Sequence, residues 1–148
     1  MKFYESIEDM PIYNWFKVNN GDMRFMLVKL STKYDGVKAR EYFDKIYSEY
    51  IDVFGISESY LKVIELKKQI SVLNIEMAIT GDRILKNFIK MAQIELNQIN
   101  SKTNKTNTNE VKVHLEKYLG FRLNEKETSV KEYYTYLNVM ANDSRKAA

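Results

Sequence analysis

The sequence predicts an all-α protein, an irregular helical bundle around one long central helix. Two observations carry this prediction. Only five glycines and one proline occur in 148 residues, whereas β-rich domains need turn-forming residues at every strand reversal. Apolar residues also recur at spacings of three and four along most of the chain, which is the repeat of an amphipathic helix. The length favours a single helical domain over 1–148.

The N-terminal segment, 6–30, contains the only proline and the only tryptophan. Pro11 suits the first turn of a helix, because the N–H that proline lacks has no partner there. Trp15 and Phe16 then lie on the apolar face of a short helix, which ends near Gly21. A second short helix follows, with a short strand as the alternative.

This segment is predicted either to pack on its own chain or to dock on a partner. In the favoured role, its aromatic side chains cover a groove on the long helix. In the other role they form a docking arm on a second subunit. The candidate interface residues for that role are Tyr13, Trp15, Phe16, Lys17 and Arg24.

Two helices are predicted in the middle of the chain. The first covers 37–54 and ends at Gly55. The second covers 57–99 and is the dominant element, because its apolar residues form a heptad seam. The seam consists of Val63, Leu66, Ile70, Leu73 and Met77, followed by Thr80 and Ile84.

The long helix carries more apolar residues than one seam needs. The additional residues are Leu61, Ile64, Ile75 and Ile79, and they predict a helix that packs on two neighbours.

Gly81 lies in the middle of this helix. The helix could kink there, break so that Asp82 caps a second helix, or approach another helix closely. We favour a continuous or kinked helix, because the apolar rhythm crosses the glycine in phase.

The last third of the chain is predicted as a polar loop followed by helices. The loop covers 100–109, which contains no apolar residue. Two C-terminal helices cover 110–146. Ser129, together with Thr128, can cap the last of them, and Glu132 is well placed in its first turn.

The sequence indicates no catalytic residue, metal site or cofactor. It has no cysteine and one histidine, His114, which lacks patterned partner ligands. A Ser-x-x-Lys match at Ser59 and Lys62 occurs without its companion motifs, inside a predicted helix. The N-terminus lacks the apolar run of a signal peptide, and no apolar stretch reaches the length of a membrane span. We therefore expect neither export nor a membrane partner.

The charge and the aromatic content leave the choice of partner open. The formal net charge is +3, but acidic residues are interleaved with the basic ones, so nucleic acid is a less favoured partner. The eleven tyrosines and seven phenylalanines could form a core edge, a protein interface or a base-stacking surface. The core edge is the favoured alternative.

The N-terminal segment also follows a recognisable pattern. An acidic residue precedes Met, Pro and an apolar residue, and then come Tyr-Asn-Trp, a lysine and a Gly-Asp turn. The residues are Asp9, Met10, Pro11, Ile12, Tyr13, Asn14, Trp15, Lys17, Gly21 and Asp22. This pattern resembles the start of small helical proteins from phages of the Bacteroidetes, including crAss-like phages. The later stretches "IYSEYIDVFGISESYLK", "AITGDR" and "KYLGFRLNEKETSVKEYYTYL" share the resemblance.

The resemblance implies a small phage protein that forms part of the virion and is assembled in the host cytoplasm. We expect a non-enzymatic structural or assembly protein acting through helix–helix contacts, for example a head-to-tail connector or another neck or tail component. Its expected partners are other virion proteins or copies of itself. The alternative is a small nucleic-acid-associated or host-regulatory phage protein, weakly favoured by the excess of lysine.

Overall fold

The computed structural model describes residues 1–104 and 107–148. It confirms the all-α class, since six α-helices dominate these residues and no sheet forms among them. The helices are α1 Ile12–Asn19, α2 Gly36–Phe54, α3 Glu58–Thr80, α4 Leu85–Asn104, α5 Thr108–Leu119 and α6 Val130–Ala147. The chain divides into two compact units, a division that the prediction of one domain over 1–148 did not include. Unit 1 comprises Met1–Gly55 and Lys112–Ala148, and unit 2 comprises Ile56–Val111.

Unit 1 joins the two ends of the chain. The backbone N–H of Ile12 donates to the carbonyl of Thr128 at 2.9 Å, and the N–H of Val130 donates to the carbonyl of Met10 at 2.9 Å. These bonds attach the start of α1 to the start of α6. The core of unit 1 is apolar and shielded from solvent. Its fully buried side chains include Ile7, Met10, Ile12, Ile46, Leu115 and Val130.

Short capping signals set the ends of the helices in unit 1. The predicted helix over 37–54 is α2, which Asp35 caps and Gly55 ends at φ 76°. The predicted cap of the last helix is a full capping box, in which Ser129 and Glu132 each accept a hydrogen bond from the other's backbone N–H. The second short element of 6–30 is only a 3₁₀-helix, Met23–Met26.

The region 57–99 lies in unit 2 and is divided between α3 and α4, so the prediction of one long helix over 57–99 is wrong. Gly81 adopts the left-handed conformation, with φ 68° and ψ 11°, and ends α3. The side chain of Asp82 then accepts a hydrogen bond from the N–H of Ile84 at 2.9 Å. The local turn signals outweighed the continuous apolar rhythm, because the seam of α3 can be buried against a different apolar face of α4 once the chain reverses.

Helices α3 and α4 pack against each other as an antiparallel hairpin. A four-residue connection joins them, and the ammonium of Lys62 near the start of α3 lies 3.5 Å from the carboxylate of Glu95 in the second half of α4. The ion pair joins exposed side chains, so it indicates register more than stability.

The predicted polar loop over 100–109 is shorter than expected. Helix α4 continues to Asn104 and α5 begins at Thr108, while Lys105 and Thr106 lie outside the described residues. The lack of apolar residues in this stretch excludes a buried helical face but not an exposed helical turn. No helix in the described part of the chain is long and apolar enough to cross a membrane.

Candidate interaction surface

The hairpin of unit 2 buries one apolar seam from each helix. On α3 the least exposed residues are the five predicted seam residues from Val63 to Met77. On α4 they follow the same rhythm of three and four, which the prediction missed. They are Leu85, Ile89, Ala92, Leu96 and Ile99. The two seams therefore serve as each other's packing surface.

The predicted continuation of the seam through Ile84 is exposed instead. Ile84, Phe88 and Met91 are all more than half exposed. The turn at Gly81 shifts the helical phase, so the buried face of α4 starts at Leu85 rather than at Ile84. In a continuous helix, Ile84, Phe88 and Met91 would have shared the face of the α3 seam.

Helix α3 has a second apolar stripe, which we call the outer stripe. Its members are between 47% and 80% exposed. With 3.6 residues per turn, they share one face about 180° from the buried seam. The outer stripe consists of Leu61, Ile64, Val72, Ile75 and Ile79.

The outer stripe makes α3 unlike an ordinary surface helix. Such a helix places polar residues opposite its buried face, whereas α3 has large aliphatic residues on both faces. Four of these residues, Leu61, Ile64, Ile75 and Ile79, predicted two neighbours for this helix. Helix α4 is the neighbour within the hairpin, and it leaves the outer stripe solvent-exposed. Contiguous exposed apolar surface of this kind marks interaction sites.

A few charged residues lie within and beside the outer stripe. Lys68 occupies the position in the stripe between Ile64 and Val72, and it is exposed. Glu65 and Glu76 lie on one flank of the stripe, also exposed. An apolar centre with charges at its edge is the usual composition of a protein interface, and Lys68 is the one charge within this stripe.

The tryptophan of the predicted interface lies in the core of unit 1. Trp15 is 4% exposed, and its ring stacks on that of Tyr47 at a centroid distance of 6.0 Å. The rings of Phe43 and Tyr50 lie at 5.8 and 5.3 Å. In the folded unit this side chain is part of the core and does not form an exposed docking arm.

The other predicted interface residues are distributed around α1. Phe16 is half-buried, with its ring edge-on to that of Tyr133 at 5.8 Å. Lys17 is exposed and places its ammonium 5.5 Å from the centre of the half-buried Tyr13 ring, a cation–π contact. Arg24 forms an exposed ion pair with Asp22 at 2.7 Å. These residues therefore do not combine into one apolar patch comparable to the outer stripe.

The tyrosines of α2 and α6 form an aromatic core edge. Burial raises the pKa of Tyr50, Tyr133 and Tyr134, that of Tyr133 to about 12. The neighbouring Tyr134 side chain further raises the pKa of Tyr50. Their rings meet at 4.8 Å. This arrangement matches the favoured reading of the aromatic residues, in which they pack rather than bind bases.

The reactive side chains that the sequence singled out are exposed: Ser59 and Lys62 on α3, and His114 on α5. Residues 1–104 and 107–148 contain no cluster of three His, Asp or Glu side chains that could hold a metal ion. Lys62 is occupied by its ion pair with Glu95. The carboxylate of Glu49 accepts the backbone N–H of Ile7 at 2.9 Å, which is a structural role.

No family model matches the chain, and no curated protein or solved structure shows significant similarity to it. The described residues combine an aromatic core in unit 1 with a helical hairpin in unit 2 that presents an exposed apolar face.

Proposed function

We propose that this chain is a non-enzymatic structural or assembly protein that acts through helix–helix contacts made by the outer stripe of α3. The observation that carries the proposal is the apolar character of both faces of α3. The hairpin uses one face for its own fold, and a second face with five exposed aliphatic residues is suited to a protein partner.

The resemblance of the N-terminal pattern to Bacteroidetes phage proteins supports a specific setting. In that setting the chain is a component of the phage particle, assembled in the host cytoplasm, with other virion proteins or copies of itself as partners. A head-to-tail connector or another neck or tail component is the proposed place. Such a component requires repeated protein contacts, and the exposed outer stripe is suited to them.

The test is quantitative mass spectrometry of purified particles of the phage that encodes the chain. A fixed molar ratio to the portal protein is the expected result, and its value would give the copy number per particle. Absence from clean particles, together with abundance in infected cells, would overturn the proposal in favour of a host-regulatory protein.

A salt titration separates the proposal from the nucleic-acid alternative. Binding through phosphate contacts falls steeply as salt rises, by orders of magnitude between about 50 and 200 mM when six or more phosphates are contacted. We expect duplex DNA to bind weakly at both concentrations. Tight binding at low salt that disappears at high salt would favour the alternative.

A further inference from the structure

We propose that the outer stripe of α3 pairs with the outer stripe of a second copy of this chain, antiparallel, about a twofold axis near Ile70. This inference rests on the proposed function, in which the same face makes the helix–helix contact. It adds the identity of the partner, the direction of pairing and the residues that meet.

The spacing of the stripe is close to its own reverse. A twofold contact brings the same patch of both copies together, so the patch must complement itself. Reversing the helix about residue 70 places Leu61 over Ile79 and Ile64 beside Ile75. The large aliphatic residues of one copy then meet those of the other at both ends.

The position of Lys68 favours the antiparallel direction. In a parallel, in-register pair each Lys68 would face the same lysine of the other copy in the middle of an apolar contact. In the antiparallel pair it faces Val72, and Glu76 of the other copy lies one helical turn away, about 6 Å along the axis. The long aliphatic stem of lysine can cover Val72 while its ammonium reaches that carboxylate.

The acidic flank fits the same arrangement around Lys68. The antiparallel pair brings Glu65 of one copy level with Glu76 of the other, on the same flank. The ammonium of Lys68 lies within about one helical turn of both carboxylates, since Glu65 is three residues away on its own helix and Glu76 of the other copy is level with residue 64. The twofold axis repeats this cluster, so each lysine offsets the repulsion between two acids.

The first experiment measures self-association of the full chain by sedimentation velocity over a wide concentration range. Val72→Asp places a charge in the centre of the stripe. Val139→Asp is the matched control, because Val139 is a valine of similar exposure on α6, 47% against 52%. Circular dichroism checks that each variant retains the helical content of the wild type.

We expect a concentration-dependent dimer for the wild type and for Val139→Asp, and a dissociation constant at least about tenfold higher for Val72→Asp, the equivalent of about 1.4 kcal/mol. A wild type that stays monomeric at high concentration would overturn the inference. So would a dimer that Val72→Asp does not weaken while its fold is intact.

The second experiment tests the direction of pairing by disulfide crosslinking, which is clean because the natural chain has no cysteine. Residues 61 and 79 are separated by about 27 Å along the helix. A mixture of Leu61→Cys and Ile79→Cys should therefore form the mixed dimer, whereas Leu61→Cys alone should not crosslink. Rapid crosslinking of Leu61→Cys alone would refute the antiparallel pair.

Failure of this inference can be told apart from failure of the proposed function. If the chain is monomeric but Val72→Asp abolishes incorporation into particles, the stripe binds a different protein and only the second copy is wrong. If Val72→Asp folds and is incorporated like the wild type, the stripe is not the assembly surface, and both proposals lose their basis.

Discussion

Replacing Trp15 by alanine tests the aromatic core of unit 1. The side chain is 4% exposed and contacts three aromatic rings. Truncation of a buried tryptophan to alanine typically costs about 3–5 kcal/mol, because the cavity only partly collapses. We expect a loss near the upper end of that range, since the neighbouring rings of α2 also lose their aromatic partner.

The assay is urea denaturation followed by the near-ultraviolet circular dichroism of tyrosine. Ten of the eleven tyrosines belong to unit 1, and only Tyr60 lies in unit 2, so the signal reports on the unit that contains Trp15. Most small domains have about 5–15 kcal/mol of stability in total, and the shift should therefore be large.

Two further variants make the result specific. Trp15→Phe keeps a ring in the core and should cost clearly less than Trp15→Ala. Ile79→Ala removes a side chain that is 80% exposed and should leave the tyrosine signal unchanged. A free energy of unfolding for Trp15→Ala within about 0.5 kcal/mol of the wild-type value would refute the reasoning, since changes of that size are typical of surface positions.

Two other predictions follow from backbone conformation and from buried tyrosines. Gly81→Ala should destabilise the hairpin by roughly 1 kcal/mol, because Gly81 has φ 68°. In a continuous helix the same change would stabilise the protein by a similar amount. The sign of the shift in the thermal midpoint therefore decides between a turn and a helix. Burial raises the pKa of Tyr50 and raises that of Tyr133 to about 12, whereas tyrosines of the unfolded chain ionise near 10. The folded state therefore holds its protons more tightly, and stability should be level below about pH 10 and decline between pH 10 and 12. Urea midpoints at pH 8, 10 and 11 measure the decline, Tyr133→Phe should reduce it, and a flat profile would contradict the assignment.

The sequence alone was sufficient where a helix and its ends depend on neighbouring residues. The helix over 37–54 was predicted within one residue at its start, and the cap of the last helix at Ser129 was predicted correctly. The buried seam of α3 was also predicted, because a spacing of three and four defines a helical face before any partner is known.

Tertiary structure decided the path of the chain at Gly81. A heptad rhythm that runs through the glycine is compatible with one long helix and also with two helices packed against each other, because both bury an apolar face. The choice depended on whether the two halves stabilise each other better than an uninterrupted helix would. The seam of α4, starting at Leu85, followed from that choice.

Trp15 and the outer stripe illustrate the same limit for the candidate site. The sequence determined that both are apolar surfaces on helices, and it indicated two neighbours for the helix that carries Leu61, Ile64, Ile75 and Ile79. Only the tertiary structure decided that Trp15 is covered by α2 while the stripe is left exposed in the hairpin. Periodicity defines which face of a helix avoids water, but the arrangement of the other elements in space defines which of those faces the chain can cover itself.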